Sequence, residues 1–325
     1  MTDAPAVAKG HPSPRAAGKA RYWALLVPLF GLGELGAHFY FARRAPTTDE
    51  WTAVGPLVAS WYKAGDPVVI APYWAEPMAR LAFGDELMPV REVARPDVTR
   101  YAEALEVSIL GRRSPELQGW KVAREQRQGK FTLRAMQNPS PPAVTFDFTD
   151  HVDPSVAAVR IEKKAGGQVD CAFNPNAAME SGGLGGAPVY PTARFACVGE
   201  PNHVFVGVTL IEDQLQHPRR CIWSHPPGGD AELVTRFREV PLGTTIRGHV
   251  GMGWLIERDL AVPSFTVKVV VGGEEIAKVV HEPGDFWKSF EIPLDPRVAH
   301  GNADVEFRVS APGGGTHVCF EADSR

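Results

Sequence analysis

The sequence predicts an α+β multidomain chain: one transmembrane helix, a small α/β domain, then an antiparallel β-sandwich. Three observations predict it. One apolar stretch near the N-terminus is flanked by basic residues. Helical and strand periodicities then alternate up to about residue 140. Beyond that point the hydrophobic period is two, and turns rich in Gly and Pro separate the segments. The 325 residues suffice for two domains of ordinary size. A composition of 44% hydrophobic and 22% charged residues is that of a folded chain. The 32 glycines and 29 prolines favour many turns over a helical bundle.

The apolar stretch is YWALLVPLFGLGELGAHFYFA, Tyr22 to Ala42, within a span set at residues 21–44. As a helix it would be about 31 Å long, the thickness of a bilayer's hydrocarbon core. Aromatic residues stand at both ends, as at membrane interfaces. Inside it, GLGELG spells the dinucleotide-binding pattern G-x-G-x-x-G. That pattern works between a strand and a helix, with an acid about twenty residues later. Here it lies within an apolar run and no acid stands near position 56, which excludes a nucleotide. Gly33 and Ala37 form a small-xxx-small pair, and Glu34 and His38 share a face. Ionisable groups in a span face protein or water. The face Gly33, Glu34, Ala37, His38 is therefore self-satisfied or docks onto a partner's helix.

Net charge is −4, yet residues 1–44 carry Lys9, Arg15, Lys19, Arg21, Arg43 and Arg44 against Asp3 and Glu34. The remaining body is acidic, which argues against nucleic acid as the principal partner. The distribution of basic residues places the N-terminus in the cytoplasm. The expectation is a single-pass inner-membrane protein with its C-terminal domains periplasmic or extracellular. A cleaved signal peptide is the alternative, although Leu35 is a poor residue three positions before a cleavage site. Residues 1–20, rich in Pro, Ala and Gly, read as a disordered cytoplasmic tail.

Residues 45–140 read as the α/β domain. Thr47 and the acids after it open a helix in which Trp51, Val54, Leu57, Val58 and Trp61 recur at helical spacing. PVVIAP is a short buried strand, WAEPMARLAFGDELMP a helix opening at Pro77, and ALEVSILG and KFTLRAMQNP two further strands. A transmembrane helix, a Trp-rich amphipathic helix and then GDPVVIAPYWAEPMARLAFGD resemble the exported tail of polytopic membrane glycosyltransferases that use lipid-linked sugars. The resemblance covers residues 22–138. With one span, and without the early loops that hold that family's catalytic acids, it implies an accessory, sugar-associated role rather than transfer. Trp74, Glu76, Arg80 and Asp85, with Glu86 beside them, are the densest polar-aromatic group. Glu76 and Arg80, four apart, fit a helix salt bridge. The functional alternative is a ligand cleft at the carboxyl end of strand VVIA, where open α/β sheets bind ligands. An aromatic platform beside carboxylates suits a carbohydrate.

Residues 143–325 read as the sandwich. FTVKVVV and ADVEFRVS alternate cleanly, and VTFDFT, VAAVRIE, TARFACV, VFVGVTLI, TTIRGHV and EEIAKVV are further strands. The ending VGGEEIAKVVHEPGDFWKSFEIPLD…ADVEFRVSAPGGGTHVCFEA resembles a galactose-binding-type jelly roll over residues 232–325. That shape occurs in many carbohydrate-binding modules, and fold alone does not fix function. Four cysteines in an exported domain suggest two disulfides, with Cys171–Cys197 and Cys221–Cys319 the favoured pairing. A metal site using Cys221, His225 and His203 is the rival, but its spacing fits no zinc pattern. SGGLGGAP reads as a surface loop, the carboxylates Asp170, Glu180, Glu212 and Asp213 are scattered, and Trp223, Trp254 and Trp287 are expected to pack. Neither G-x-S-x-G nor H-E-x-x-H occurs. The sequence thus predicts a membrane-anchored, envelope-facing, non-catalytic accessory protein that binds glycan or a membrane partner. The alternative is a carbohydrate-active enzyme on envelope polysaccharide. The expected partners are the lipid bilayer, a polytopic membrane protein and carbohydrate. No cofactor and no metal are expected.

Overall fold

The computed structural model describes residues 14–178, 191–201, 203–258, 262–313 and 316–325. Helix α1 spans Pro14–Arg44 and α2 spans Thr48–Trp61. The α2 start is set by a capping box: Thr47 Oγ1 accepts from the Glu50 amide, and the Glu50 carboxylate accepts from the Thr47 amide. Strand β1 (Val68–Ala71), helices α3 (Glu76–Leu87) and α4 (Val90–Val93), and strands β2 (Glu103–Ile109), β3 (Lys121–Gln128) and β4 (Phe131–Gln137) follow. They form a four-stranded sheet in the order β1-β2-β4-β3, with β1 and β2 parallel and the other pairs antiparallel. Trp51, Val54 and Val58 of α2 and Ala79 and Phe83 of α3 bury one face against Val107, Phe131 and Leu133.

The second body holds β5 (Phe146–Asp147), β6 (Ala157–Lys163), β7 (Gln168–Asn174), β8 (Arg194–Cys197), β9 (Phe205–Glu212), β10 (Pro218–Ser224), β11 (Ala231–Pro241) and β12 (Thr245–Gly251). After α5 (Trp254–Glu257) come β13 (Phe265–Val271), β14 (Glu274–His281), β15 (Lys288–Pro293), β16 (Asn302–Ser310) and β17 (Cys319–Ser324). Hydrogen bonding runs unbroken from β14 through β13, β16, β11, β6, β7, β8, β9, β10, β17 and β12 to β15, and β5 pairs with β17. The two edges β14 and β15 adjoin. The layer is therefore a flattened, nearly closed, jelly-roll-like antiparallel sandwich around one core, which includes Phe148, Phe237, Val267, Phe307 and Phe320. Closure leaves few strand edges open to solvent.

This corrects the expected fold class. The molecule is mostly β with a few helices, and among the described residues no helix is long and apolar enough to cross a membrane. Helix α1 has the length, at 31 residues. Its apolar run is diluted by Gly31, Gly33, Gly36, Glu34 and His38. Gly33, Glu34, Ala37 and His38 are exposed on α1, and a Cβ at Gly33 would meet nothing within 4 Å. The helix-partner face, the bilayer and a polytopic partner lose their support with the span. Helix α1 already runs through residues 14–20, while residues 1–13 of the expected tail lie outside the described residues, as do SGGLGGAP and Glu180.

Candidate functional site

The carboxyl end of β1 builds the first wall of a cleft. All four β1 residues are buried, although the strand lies at the sheet edge, paired with β2 and packed against α3. The chain then turns through a 3₁₀ segment, Tyr73–Ala75, into α3. Ala75, Ala79 and Phe83 face the core at helical spacing. That leaves Trp74 and Tyr73 turned outward, 56% and 51% exposed. Glu76 and Arg80 sit half-buried at the flank and Asp85 lies exposed. Gly84 has φ 67, a backbone conformation that favours glycine, and kinks α3 there. Across the kink Arg80 pairs with Asp85 at 3.3 Å. The expected Glu76–Arg80 bridge does not form: among the described residues Glu76 has no ion pair or hydrogen-bond partner.

The facing wall comes from the second body, in the turn between β9 and β10. Asp213 organises it. Its carboxylate accepts from the amides of Leu215 (2.8 Å) and His217 (3.0 Å) and from Arg219 Nε (2.8 Å). The turn presents Leu215, Gln216 and His217, and the His217 ring meets Tyr73 edge-on at 5.0 Å. Between these walls lies a cleft of about 780 Å³ that Trp74, Glu76, Arg80 and Asp85 all line. Deeper in, an adjoining hollow of about 320 Å³ shares Tyr73, Glu76 and His217 and adds Arg95, Asp97, Glu116 and Arg219.

The charges in the cleft are uneven. Arg95 is buried and bonds Glu116 at 2.8 Å. Burial pushes the Glu116 carboxyl up, but Arg95 outweighs it and holds the group below its ordinary value. Burial pushes the Glu76 carboxyl above its ordinary value despite Arg95 nearby. Burial, with Arg219 beside it, holds His217 below its ordinary value, which favours the neutral ring.

The structure thus brings Trp74, Glu76, Arg80 and Asp85 to one cleft. Sequence reasoning missed Tyr73, His217, Arg95 and Glu116 there. Tyr73 adjoins Trp74 and shared its signal; His217, Arg95 and Glu116 come from distant segments with no local pattern. Among the other carboxylates, Glu212 lines the cleft and Asp213 shapes its wall. The disulfides are Cys171–Cys197, joining facing residues of β7 and β8, and Cys221–Cys319, joining β10 and β17. With Cys221 bridged, the rival metal site loses its thiolate. His203 and His225 do lie close, 4.6 Å between ring centroids, with His317 5.1 Å from His225. Among the described residues no group of three or more His, Cys, Asp or Glu is arranged to hold a metal ion. Trp223 is core, as expected, whereas Trp254 and Trp287 are only half-buried.

No protein-family model matches the chain, and no curated protein matches it. Solved structures do resemble parts of it. One is the CBM51-2 and INT domains of Clostridium perfringens ZmpB with GlcNAc, at 11% identity and TM-score 0.27, covering 52% of this chain and 37% of that one. Another is CBM51 from Clostridium perfringens GH95 with methyl-galactose, at 16% identity and TM-score 0.27, covering 36% and 81%. A third is the CBM36-1 domain of a multidomain xylanase from the hindgut metagenome of Trinervitermes trinervoides, at 12% identity and TM-score 0.24, covering 47% and 96%. The chain spans little more than a third of the first of these. These scores concern fold outline alone. The resemblance to lipid-linked-sugar glycosyltransferases is not shown by them.

Proposed function

We propose that the protein binds a glycan in the cleft between its two bodies and works in an oxidising compartment outside the cytosol. One observation carries the reading: Trp74 and Tyr73 stand exposed in a cleft whose polar wall holds Glu76, Arg80 and Asp85. A sugar ring offers an apolar face for an indole and a rim of hydroxyls. Carboxylates accept from those hydroxyls and a guanidinium donates to them. Clefts of this size with a few convergent polar groups are the usual form of a small-ligand site. Two disulfides suit an exported protein.

The test is a glycan array probed with the whole chain, followed by calorimetry on each hit with Trp74→Ala. Because Trp74 is exposed, the variant is expected to keep its melting temperature and to lose about tenfold or more in affinity. An empty array, or hits indifferent to Trp74, overturns the reading.

A second reading is favoured by one observation. Two carboxyls, Glu76 without a partner and Glu116 paired with Arg95, line the same adjoining hollow, and their surroundings push them in opposite directions, as an acid and a carboxylate are separated in glycoside hydrolysis. Product analysis after incubation with array hits tests it. Cleavage that Glu76→Gln abolishes identifies a hydrolase; intact glycan identifies a binder.

A further inference from the structure

We infer that the cleft selects sugars bearing a protonated amine over neutral and acidic sugars, with Glu76 the residue that reads the amine. The inference rests on the glycan-binding reading and names its ligand class. Every basic side chain near the floor is already committed. Arg80 pairs with Asp85, Arg95 with Glu116 and Arg219 with Asp213. Among the described residues lining the cleft, each guanidinium already has a carboxylate partner, with which an incoming uronate or phosphate would have to compete. Glu76 is the opposite case: half-buried, lining both hollows and lacking an ion-pair or hydrogen-bond partner among the described residues. A carboxylate partly removed from water and left unpaired is unfavourable, and a ligand ammonium would supply both the charge and the donors. Glu212 on the same rim adds a further negative charge. The exposed Trp74 indole beside Glu76 offers the same ammonium a π face. An acidic sugar would instead meet Glu76, Asp85 and Glu212 with like charge.

The test compares four oligomers by calorimetry on the whole chain at neutral pH and low salt: a glucosamine hexamer, its fully N-acetylated counterpart, a neutral glucose hexamer and a hexamer of a uronic acid. Acetylation removes the positive charge while keeping the ring. The expected order places the glucosamine hexamer about tenfold tighter than the acetylated and glucose hexamers, with the uronate weakest. Glu76→Gln is expected to bring the first three within about twofold. Asp85→Asn, on the exposed rim where folding is not at stake, frees the Arg80 guanidinium and is expected at least to halve the preference over the uronate. Equal affinity for the acetylated and free amines, or a preference untouched by both variants, overturns the inference and leaves glycan binding standing. Failure of all four oligomers together with an empty array removes both.

Discussion

Glu257 is a carboxyl group enclosed on every side. It is fully buried, one oxygen accepts from the Phe286 amide at 3.0 Å, and the other has no hydrogen-bond partner. His281 Nε2, also fully buried, lies 3.4 Å away. Burial raises the Glu257 carboxyl to about 7. Between its ordinary value and that figure the folded chain holds a proton that the unfolded chain has released. This contribution to stability is complete in acid and is lost as pH rises through neutrality. Glu257→Gln removes the dependence: thermal unfolding across pH 5 to 8.5 should show a flatter profile than wild type. At the alkaline end the variant should be the more stable, by on the order of 3 kcal/mol. Glu106 is the contrasting case, buried but saturated. It accepts from the Ser114 amide at 2.7 Å and pairs with Arg134 at 2.8 Å and Arg113 at 3.1 Å. Glu106→Ala leaves the buried Ser114 amide without its acceptor and Arg134 paired with Glu125 alone, and should lower stability by about 2 kcal/mol in denaturant titration. Trp74 and Glu76 were legible because they are neighbours in sequence. Glu257 and Glu106 were not, since nothing local separates a buried acid from a surface one.

At the level of elements, strength of pattern decided what could be read. Helix α2 carries its capping residues and its apolar stripe in consecutive sequence. Thr47→Ala should cost about 1 kcal/mol, measured as a drop in unfolding midpoint. Strands β13 and β16 alternate cleanly and were visible for that reason. Strand β3, KVAREQRQ, is almost wholly exposed, so it carries no apolar face to betray it. Its charges suit the edge of a sheet, where they discourage pairing with another chain. In β6, β11, β13 and β16 the outward positions hold a charge lattice instead. Arg160 bridges Glu162 and Glu306, Arg308 bridges Glu306 and Glu162, and Lys268 bonds Glu232. Helix α1 shows the opposite failure. Its length and aromatic ends match a membrane span, but glycines and two ionisable residues carry as much weight as the leucines.

Across the whole molecule, the two bodies are tied by the segment between α4 and β2. The Arg220 amide of β10 donates to Ala94 O at 3.0 Å, and Arg100 pairs with Asp147 at 2.7 Å. Asp97 faces both Arg247 and Arg325 at 3.6 Å. None of these pairings has a sequence signature, because each joins segments tens to hundreds of residues apart. Asp97→Ala should loosen the junction, and calorimetry should then resolve two melting transitions where wild type shows them merged. The Cys221–Cys319 bridge closes a separation of 98 residues. Replacing both cysteines by serine should cost about 4 kcal/mol, read from chemical denaturation. The cleft itself has a further consequence. Tyr73 and His217 touch across the seam, so neither half owns the groove. Ligand occupancy and adhesion of the halves are then one coupled equilibrium. A ligand held in the groove would act as mortar, and force that pries the halves apart would evict it.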